Sequence, residues 1–252
     1  MAMTTRRPAT VLREAFLPGD PVSLEEASAR VRGSQRAASK ALTHLARAGY
    51  FERVRQRLWV RSGGSVSPYR LGARIASPYA FVYGTALALH GAGGVERSEV
   101  LVASPHRFGG FEYEGLLYRR ALPWPDGGLE KVSVGPEFVW VTTPERTLVD
   151  CVRVPANAGG VAELMRLSGL APLSGAQLLH WVDFYGEANL AARLGVVLES
   201  AGMSDDATLN ALEERRPASR AYMEPGVRGG SLVRRWNLIV PSYLLPRESE
   251  PG

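Results

Sequence analysis

The sequence has a single cysteine, few lysines and no long apolar run. Cys151 has no second cysteine with which to form an internal disulfide, and the chain contains no Cys-x-x-Cys pair. No stretch approaches the roughly 18 consecutive apolar residues that a membrane-spanning helix needs. No signal peptide precedes the first predicted helix. We therefore expect a cytoplasmic protein with a buried, inert cysteine and no membrane partner.

Residues that hold metals or perform catalysis are equally sparse. The four histidines are scattered, so the sequence predicts no metal site and no cofactor. His90 is interpreted either as a ligand or base, or as a residue that bonds the last carbonyls of a helix. A phosphate-binding loop, a Gly-x-Gly-x-x-Gly after a strand and a Gly-x-Ser-x-Gly elbow are all absent.

Two hydrolytic or transfer chemistries are also unsupported. A nuclease needs clustered carboxylates with a lysine to hold metal and orient water. Lys40 and Lys131, the two lysines, adjoin no such cluster. A nucleotidyltransferase needs spaced aspartates after a Gly-Ser pair, and none follows Gly230-Ser231. We predict that the protein has no catalytic residues and is not an enzyme.

What the sequence has in excess is arginine, and the excess lies at the N-terminus. Residues 1–76 contain 14 Lys+Arg against 5 Asp+Glu, a net charge of +9. Residues 77–252 contain 16 against 20, a net charge of −4. A basic excess confined to one small region indicates a surface for a polyanion such as nucleic acid.

Residues 9–61 have the pattern of a winged helix-turn-helix. Residues 9–17 are patterned as a first helix. Ser23 and Glu26 form a capping box, which predicts a second helix that ends near Val31. Gly33-Ser34 interrupts that helix and caps a third, 35–48, which Gly49 ends. Two strand-like runs, 51–54 and 58–60, then flank Arg55-Gln56-Arg57 and predict a basic hairpin, the wing.

The third helix has one apolar and one polar face. Its apolar residues recur at helical spacing and predict the face that packs on the first two helices. The opposite face and the hairpin carry side chains of the kinds that contact base edges and phosphates. The predicted DNA-binding residues are Ser34, Gln35, Arg36, Ser39, Lys40, Thr43, Arg47, Arg53, Arg55 and Arg57. The alternative interpretation is a solvated helix face beside a basic loop.

The remainder of the chain predicts a second, larger domain. Residues 62–68 are patterned as a linker, 80–90 as a helix, and 95–141 as a small mixed sheet. Further helices are expected at 143–150, 160–168, 174–185, 187–201 and 205–215, with a strand-like run at 236–240. The predicted fold is α/β (α+β), with a winged helix-turn-helix at 1–66, a mixed α/β domain at 67–246 and a disordered tail at 247–252.

Three segments resemble a known family. Residues 77–91, SPYAFVYGTALALHG, resemble the segment that opens the C-terminal domain of AbiEi-type antitoxins. Residues 139–150, VWVTTPERTLVD, are similar to the strand-to-helix segment of that family, and 190–199, LAARLGVVLE, are similar to a later helix. With the N-terminal pattern, the resemblance covers about residues 10–200.

The resemblance implies a DNA-binding autorepressor that is the antitoxin of a type IV toxin–antitoxin system. Such proteins repress their own operon and oppose a nucleotidyltransferase toxin without binding it tightly, and their C-terminal domain provides the antitoxin role. The implied partners are double-stranded operator DNA with inverted repeats, bound by a homodimer, and the toxin. The family is prokaryotic, consistent with a cytoplasmic location.

Two other functions remain open at the level of the sequence. One is a stand-alone winged-helix transcription factor whose C-terminal domain senses a ligand or forms a dimer. The other is an enzyme targeted to DNA, which would require a carboxylate cluster around a pocket. A toxin gene of the nucleotidyltransferase type next to this one would favour the antitoxin over the stand-alone factor.

Overall fold

A computed structural model describes residues 7–92, 98–170, 172–203, 205–224 and 226–244. Helices and mixed strands alternate along these ranges, so the fold is α/β, as predicted. The predicted tail at 247–252 lies outside the described residues. No helix within the described ranges is long and apolar enough to cross a membrane.

The chain divides into two units that are not continuous in sequence. The first contains the described residues up to Ala80, together with Ser98–Trp124 and Ser133–Trp140. The second contains the described residues from Phe81 to 92, Pro125–Val132 and those from Val141 onward. Each unit therefore contains residues from distant parts of the chain.

The first unit opens with three helices and a small antiparallel sheet. In chain order these are α1 (Pro8–Ala15), β1 (Pro21–Ser23), α2 (Leu24–Val31), α3 (Gln35–Arg47), β2 (Phe51–Arg55) and β3 (Leu58–Arg61). The strand order is β1-β3-β2, and Val22 pairs with Trp59. The helices and the hairpin lie where the sequence predicts them. Strand β1 was not predicted, because the strand that it pairs with, β3, is remote in sequence.

Local hydrogen bonds explain where these helices begin and end. Ser23 Oγ accepts from the Glu26 amide at 3.2 Å, and Glu26 Oε2 accepts from the Ser23 amide at 2.9 Å, which confirms the capping box. Ser34 Oγ accepts from the Ala37 amide at the start of α3. Gly49 follows α3 with a φ of +77°, the left-handed conformation expected of a residue after a helix.

The apolar face of α3 lies in the core of this part of the unit. Ala38, Leu42 and Leu45 are buried against α1 and α2, and α1 contributes the fully buried Leu12. The predicted stripe on the third helix is therefore confirmed, and its polar face points away from the core. Burial of one such leucine contributes about 1.5–3 kcal/mol.

The rest of the first unit contains a short helix and strands. They are α4 (Pro68–Gly72), β4 (Ala80–Phe81), β5 (Glu99–Ala103), β6 (Phe111–Tyr113) and β7 (Leu116–Ala121), with β4 at the boundary between the units. Strand β7 pairs in parallel with β5 and antiparallel with β6. The last residue of the predicted linker, Pro68, is already the first residue of α4. Ser67 caps this helix, and Leu71 within it is fully buried.

The second unit is mainly helical. Its helices are α5 (Tyr83–Leu89), α6 (Pro144–Arg153), α7 (Val161–Leu164), α8 (Gly175–Tyr185), α9 (Leu190–Ala201) and α10 (Asp206–Glu214). The strands β8 (Leu129–Val134) and β9 (Glu137–Thr142) each contribute residues to both units. Strands β10 (Ala221–Tyr222), β11 (Ser231–Val233) and β12 (Leu238–Val240) form a mixed sheet in the order β10-β12-β11.

A glycine in α9 makes room for a buried tryptophan. Trp236 is fully buried, and its indole N–H donates to Glu199 Oε2 at 2.6 Å. A Cβ on Gly195 would lie 2.3 Å from the Trp236 ring, far inside van der Waals contact. Gly195 lies in the segment 190–199, LAARLGVVLE, that is similar to a helix of the antitoxin family. Packing against Trp236 explains the glycine at this position.

We predict that Gly195→Ala lowers the free energy of unfolding by about 1–3 kcal/mol, because the added methyl must displace the indole ring. Urea denaturation followed by tryptophan fluorescence measures the loss. Gly33→Ala is the matched control, since a Cβ there would meet Val31 Cγ2 at an ordinary 3.5 Å. Equal stability of the two variants would contradict this account of the packing.

Candidate nucleic-acid interface

The polar face of α3 is solvent-exposed, and part of it has no side-chain partner. Arg36, Lys40 and Arg47 are exposed, and within the described part of the chain none of their side chains forms a hydrogen bond or an ion pair. Lys40 lies four residues after Arg36, and Arg47 lies seven residues after Lys40, so the three follow one another along one side of the helix. These three cations are available to an anionic partner.

The smaller predicted residues of α3 are partly used within the helix. Ser34 is exposed and caps α3 through the Ala37 amide at 3.2 Å. The Thr43 hydroxyl donates to the carbonyl of Ser39 at 2.8 Å, and Ser39 itself is half-buried. The hydroxyl oxygens of Ser34 and Thr43 can still accept hydrogen bonds from solvent or a ligand.

Arg57 connects the tip of the hairpin to α2 and α3. Its Nη2 donates to Glu25 in an ion pair and to the side-chain oxygen of Gln35 at 3.1 Å. Partial burial alone would raise the pKa of Glu25, but the hydrogen bond and charge of Arg57 outweigh it and lower that pKa. Glu25 is therefore ionised at neutral pH and offsets the positive charge of Arg57.

The other two hairpin arginines differ in their surroundings. Arg53 is exposed, and its guanidinium lies 5.9 Å from the ring centre of Trp59. Arg55 is half-buried and lies 4.9 Å from the ring centre of Phe111, while its Nη1 donates to the Gly109 carbonyl at 3.2 Å. Loss of solvent lowers the pKa of Arg55. Arg53 Nε also donates to the Arg55 carbonyl at 3.4 Å. Of the predicted hairpin arginines, Arg53 is the one that is exposed and pairs with no carboxylate among the described residues.

One exposed cation near α3 was not among the predicted site residues. Arg32 ends α2 with a φ of +49°, a left-handed conformation that few non-glycine residues adopt. Its side chain is exposed and has no partner among the described residues. Its position two residues before the Ser34 cap is the signal by which the sequence could have identified it.

A cluster of ion pairs holds the helices of this unit to a distant strand. Glu137 of β9 accepts from Arg70 Nε at 2.8 Å and from Arg74 Nη1 at 2.7 Å. Arg70 also pairs with Asp20 at 2.8 Å, and Arg74 with Glu26 at 3.2 Å. Burial would raise the pKa of Glu137, but these two guanidiniums lower it overall. The carboxylate is thus ionised in the folded unit and linked to the turn that follows α1.

In the second unit, the segment that resembles the antitoxin family is buried. Arg146 is 3% exposed and donates to the carbonyls of Asp126 and Gly127 at 2.9 and 2.7 Å. Its guanidinium also lies 4.4 Å from the Trp181 ring centre. Asp150 is 6% exposed and accepts from Tyr185, while its burial raises its pKa. These side chains stabilise the interior of the unit.

The side chain of His90 bonds a strand rather than the last carbonyls of α5, unlike the second of its two predicted interpretations. Its Nε2 donates to the carbonyl oxygen of Thr142 at 2.7 Å, on a strand remote in sequence, and its side chain is largely buried. Cys151 is buried, as predicted. Within the described ranges, no group of three or more His, Cys, Asp or Glu side chains could hold a metal ion.

Comparison with known proteins identifies a similar fold. No protein-family model matches this chain, and no curated protein matches it. Among solved structures, the crystal structure of the RV2827C protein from Mycobacterium tuberculosis is similar, with a TM-score of 0.64 and 16% sequence identity. The match covers 93% of this chain and 90% of that one. At this identity the likeness extends to the fold alone.

We predict that Glu137→Gln lowers the free energy of unfolding at neutral pH by about 1–3 kcal/mol, because two guanidiniums lose their shared carboxylate. The folded pKa of Glu137 lies below its usual value of 4.5, so its contribution is complete above that value. The contribution disappears as the pH falls through the folded pKa.

Urea denaturation at neutral pH and at successively lower pH measures this effect. The difference between wild type and Glu137→Gln should shrink at acid pH. Glu112→Gln is the control, because the Glu112 side chain is exposed and has no hydrogen bond or ion pair among the described residues. A difference that is independent of pH would show that the ionised carboxylate does not stabilise this unit.

Proposed function

We propose that this protein binds double-stranded DNA as a winged helix-turn-helix and represses its own promoter. We further propose that it acts in the cytoplasm as the antitoxin of a type IV toxin–antitoxin system, opposing a nucleotidyltransferase toxin. The observation that carries the DNA-binding part is the row of exposed, unpaired cations on α3, Arg36, Lys40 and Arg47, beside a basic hairpin.

The chemistry of this surface fits a duplex. An α-helix fits the major groove, where an arginine can donate two hydrogen bonds to a guanine. Arg36 lies in the first turn of α3, and in helix-turn-helix proteins this end of the recognition helix contacts base edges. Lys40, Arg47 and Arg53 are suited to phosphates, which position the protein without reading sequence. Two copies on an inverted repeat would place two such helices in successive grooves.

The antitoxin part of the proposal has separate support. The resemblance to AbiEi-type antitoxins rests on segments that lie mainly in the second unit. Because Arg146 and Asp150 are buried there, the resemblance concerns residues that build the fold rather than a contact surface. We therefore assign the antitoxin role to the exposed surface of the second unit, with no catalysis and without a tight complex with the toxin.

We predict that the full-length protein binds duplex DNA with an affinity that falls steeply as the salt concentration rises. The reason is that its arginine and lysine side chains displace counterions condensed on the DNA. Arg36→Ala should weaken binding to the protein's own upstream region by about 1–3 kcal/mol and reduce its preference over scrambled DNA. Arg57→Ala should cost less, because Glu25 already neutralises that guanidinium.

Fluorescence anisotropy at several salt concentrations, on the upstream and scrambled duplexes, measures these effects. Arg166→Ala is the control, since Arg166 pairs with Glu163 in the second unit. Salt-independent binding would contradict the electrostatic argument, and an unchanged affinity of Arg36→Ala would exclude α3 as the recognition helix.

We predict that antitoxin activity does not require DNA binding. An adjacent toxin gene, expressed from a foreign promoter, should be tolerated when the full-length protein is co-expressed. The double variant Arg36→Glu with Lys40→Glu should lose repression, because it reverses two charges at the DNA surface, yet still rescue growth. Colony counts and a promoter–reporter fusion measure the two activities separately.

The contrary outcomes are equally informative. If the double variant is folded and abundant but fails to rescue, protection requires DNA binding. If the wild type itself does not rescue, the protein is a stand-alone transcription factor and the antitoxin assignment is wrong.

A further inference from the structure

A loop remote in sequence from the helix-turn-helix lies against the hairpin of the first unit. This loop, residues 104–110, connects β5 to β6, and both strands belong to the first unit. Its start is fixed by Ser104, which is buried and whose hydroxyl donates to the Pro78 carbonyl at 2.7 Å. Arg120 also donates to the Ser104 carbonyl, at 2.8 Å. The loop is therefore held in place at its first residue.

The hairpin fixes the other end of the loop. Arg55 donates to the Gly109 carbonyl at 3.2 Å and lies over the rings of Phe108 and Phe111, at 6.0 and 4.9 Å from their centres. In addition, the Tyr113 hydroxyl donates to Glu52 of β2 at 3.3 Å. The Arg55 guanidinium thus binds the loop through Gly109, Phe108 and Phe111, and positions it beside the hairpin.

Arg107 is the cation that this arrangement presents to solvent. It is exposed, and no hydrogen bond or ion pair engages it within the described part of the chain. It lines a groove of about 650 Å³ together with Arg55, Gln56 and Arg57. The carboxylates of that groove are already occupied, since Glu25 pairs with Arg57 and Glu26 with Arg74. The positive charge of Arg107 is thus uncompensated.

We infer that the loop 104–110 belongs to the DNA interface and that Arg107 binds a backbone phosphate beside the hairpin. This inference rests on the proposed DNA-binding function and extends it beyond the N-terminal helices and hairpin. A guanidinium can donate two parallel hydrogen bonds to one phosphate. Through Arg57, which contacts both Glu25 and Gln35, the same groove reaches the N-terminus of α3. The hairpin and the loop thus line one groove, and Arg57 of that groove contacts α3.

The first test is the salt dependence of binding by the full-length Arg107→Gln variant. The probe is a fluorescein-labelled mixed-sequence duplex of about three helical turns. The affinity of the variant for this duplex should fall about three- to tenfold. The same loss is expected on the upstream duplex, because a phosphate contact reads no sequence. The slope of log affinity against log salt should become less negative by about 0.9, the value for one lost phosphate contact.

Arg119→Gln is the matched control. It removes the same charge from the same unit, but Arg119 is already paired with Glu99 at 2.9 Å. If the affinity and salt slope of Arg107→Gln equal those of Arg119→Gln, the inference is wrong. If Arg36→Ala then still weakens binding, the proposed function survives without it. If the wild type binds no duplex at all, both are wrong.

A second test locates the loop on the DNA. Because the one cysteine of the chain, Cys151, is buried, Arg107→Cys introduces a single exposed thiol. An iron–EDTA reagent attached to that thiol should cleave the duplex backbone next to the groove that α3 occupies. Arg119→Cys, labelled in the same way, provides the background. Cleavage no stronger than this background would exclude the loop from the interface, whether or not the Arg107→Gln variant is stable.

Discussion

The first unit depends on the ionised carboxylate of Glu137. It binds the guanidiniums of Arg70 and Arg74, which lie 67 and 63 residues earlier in the chain. A partly buried carboxylate is costly unless cations compensate for its lost hydration. Here each guanidinium also pairs with a second acid, Asp20 or Glu26, so two guanidiniums are shared among three carboxylates. The cluster connects β9 to the turn after α1 and to the capping box of α2.

That connection bears on the candidate interface because Glu26 has two roles. Its carboxylate caps α2 by accepting from the Ser23 amide, and it also pairs with Arg74. The orientation of α2 is therefore linked to the ion-pair cluster, and α2 packs against α3. Arg57 adds a further link, since it contacts Glu25 of α2 and Gln35 of α3. The cations proposed to bind DNA are thus presented by a helix whose neighbours are fixed by charge as well as by apolar packing.

The structure of the second unit explains key residues in two of the segments that resemble the antitoxin family, 139–150 and 190–199. In the interior, Arg146 donates to carbonyls and lies over the Trp181 ring. Asp150 accepts from Tyr185 and from Arg146 Nε, the latter at 3.4 Å. Gly195 provides the space that Trp236 fills. Both features are requirements of folding, and a protein with another activity could share them. Any antitoxin surface in this unit must therefore be sought among exposed residues, for which these segments provide no guide.

The sequence by itself determined the features that depend on neighbours along the chain. The capping box at Ser23, the Ser34 cap, the glycine after α3 and the apolar stripe of α3 all arise from residues within one or two turns. Their spacing is therefore visible without a structure. The concentration of positive charge in residues 1–76 is equally a property of the sequence. These features place α3 and its polar face, including Arg36, Lys40 and Arg47.

Only the tertiary structure decided which cations remain available. Arg57 meets Glu25 across 32 residues, and Arg55 meets Gly109 across 54, so no local pattern reveals that both are occupied. The same reason explains the unpredicted strands β1 and β10, since each is defined by a partner strand, β3 or β12, that lies further along the chain. Distance along the chain also explains why Arg107 was not predicted as a site residue. Its position beside the hairpin follows from the contacts of its loop with Pro78 and Arg55. Charge pairing between distant residues arises only once the chain has folded.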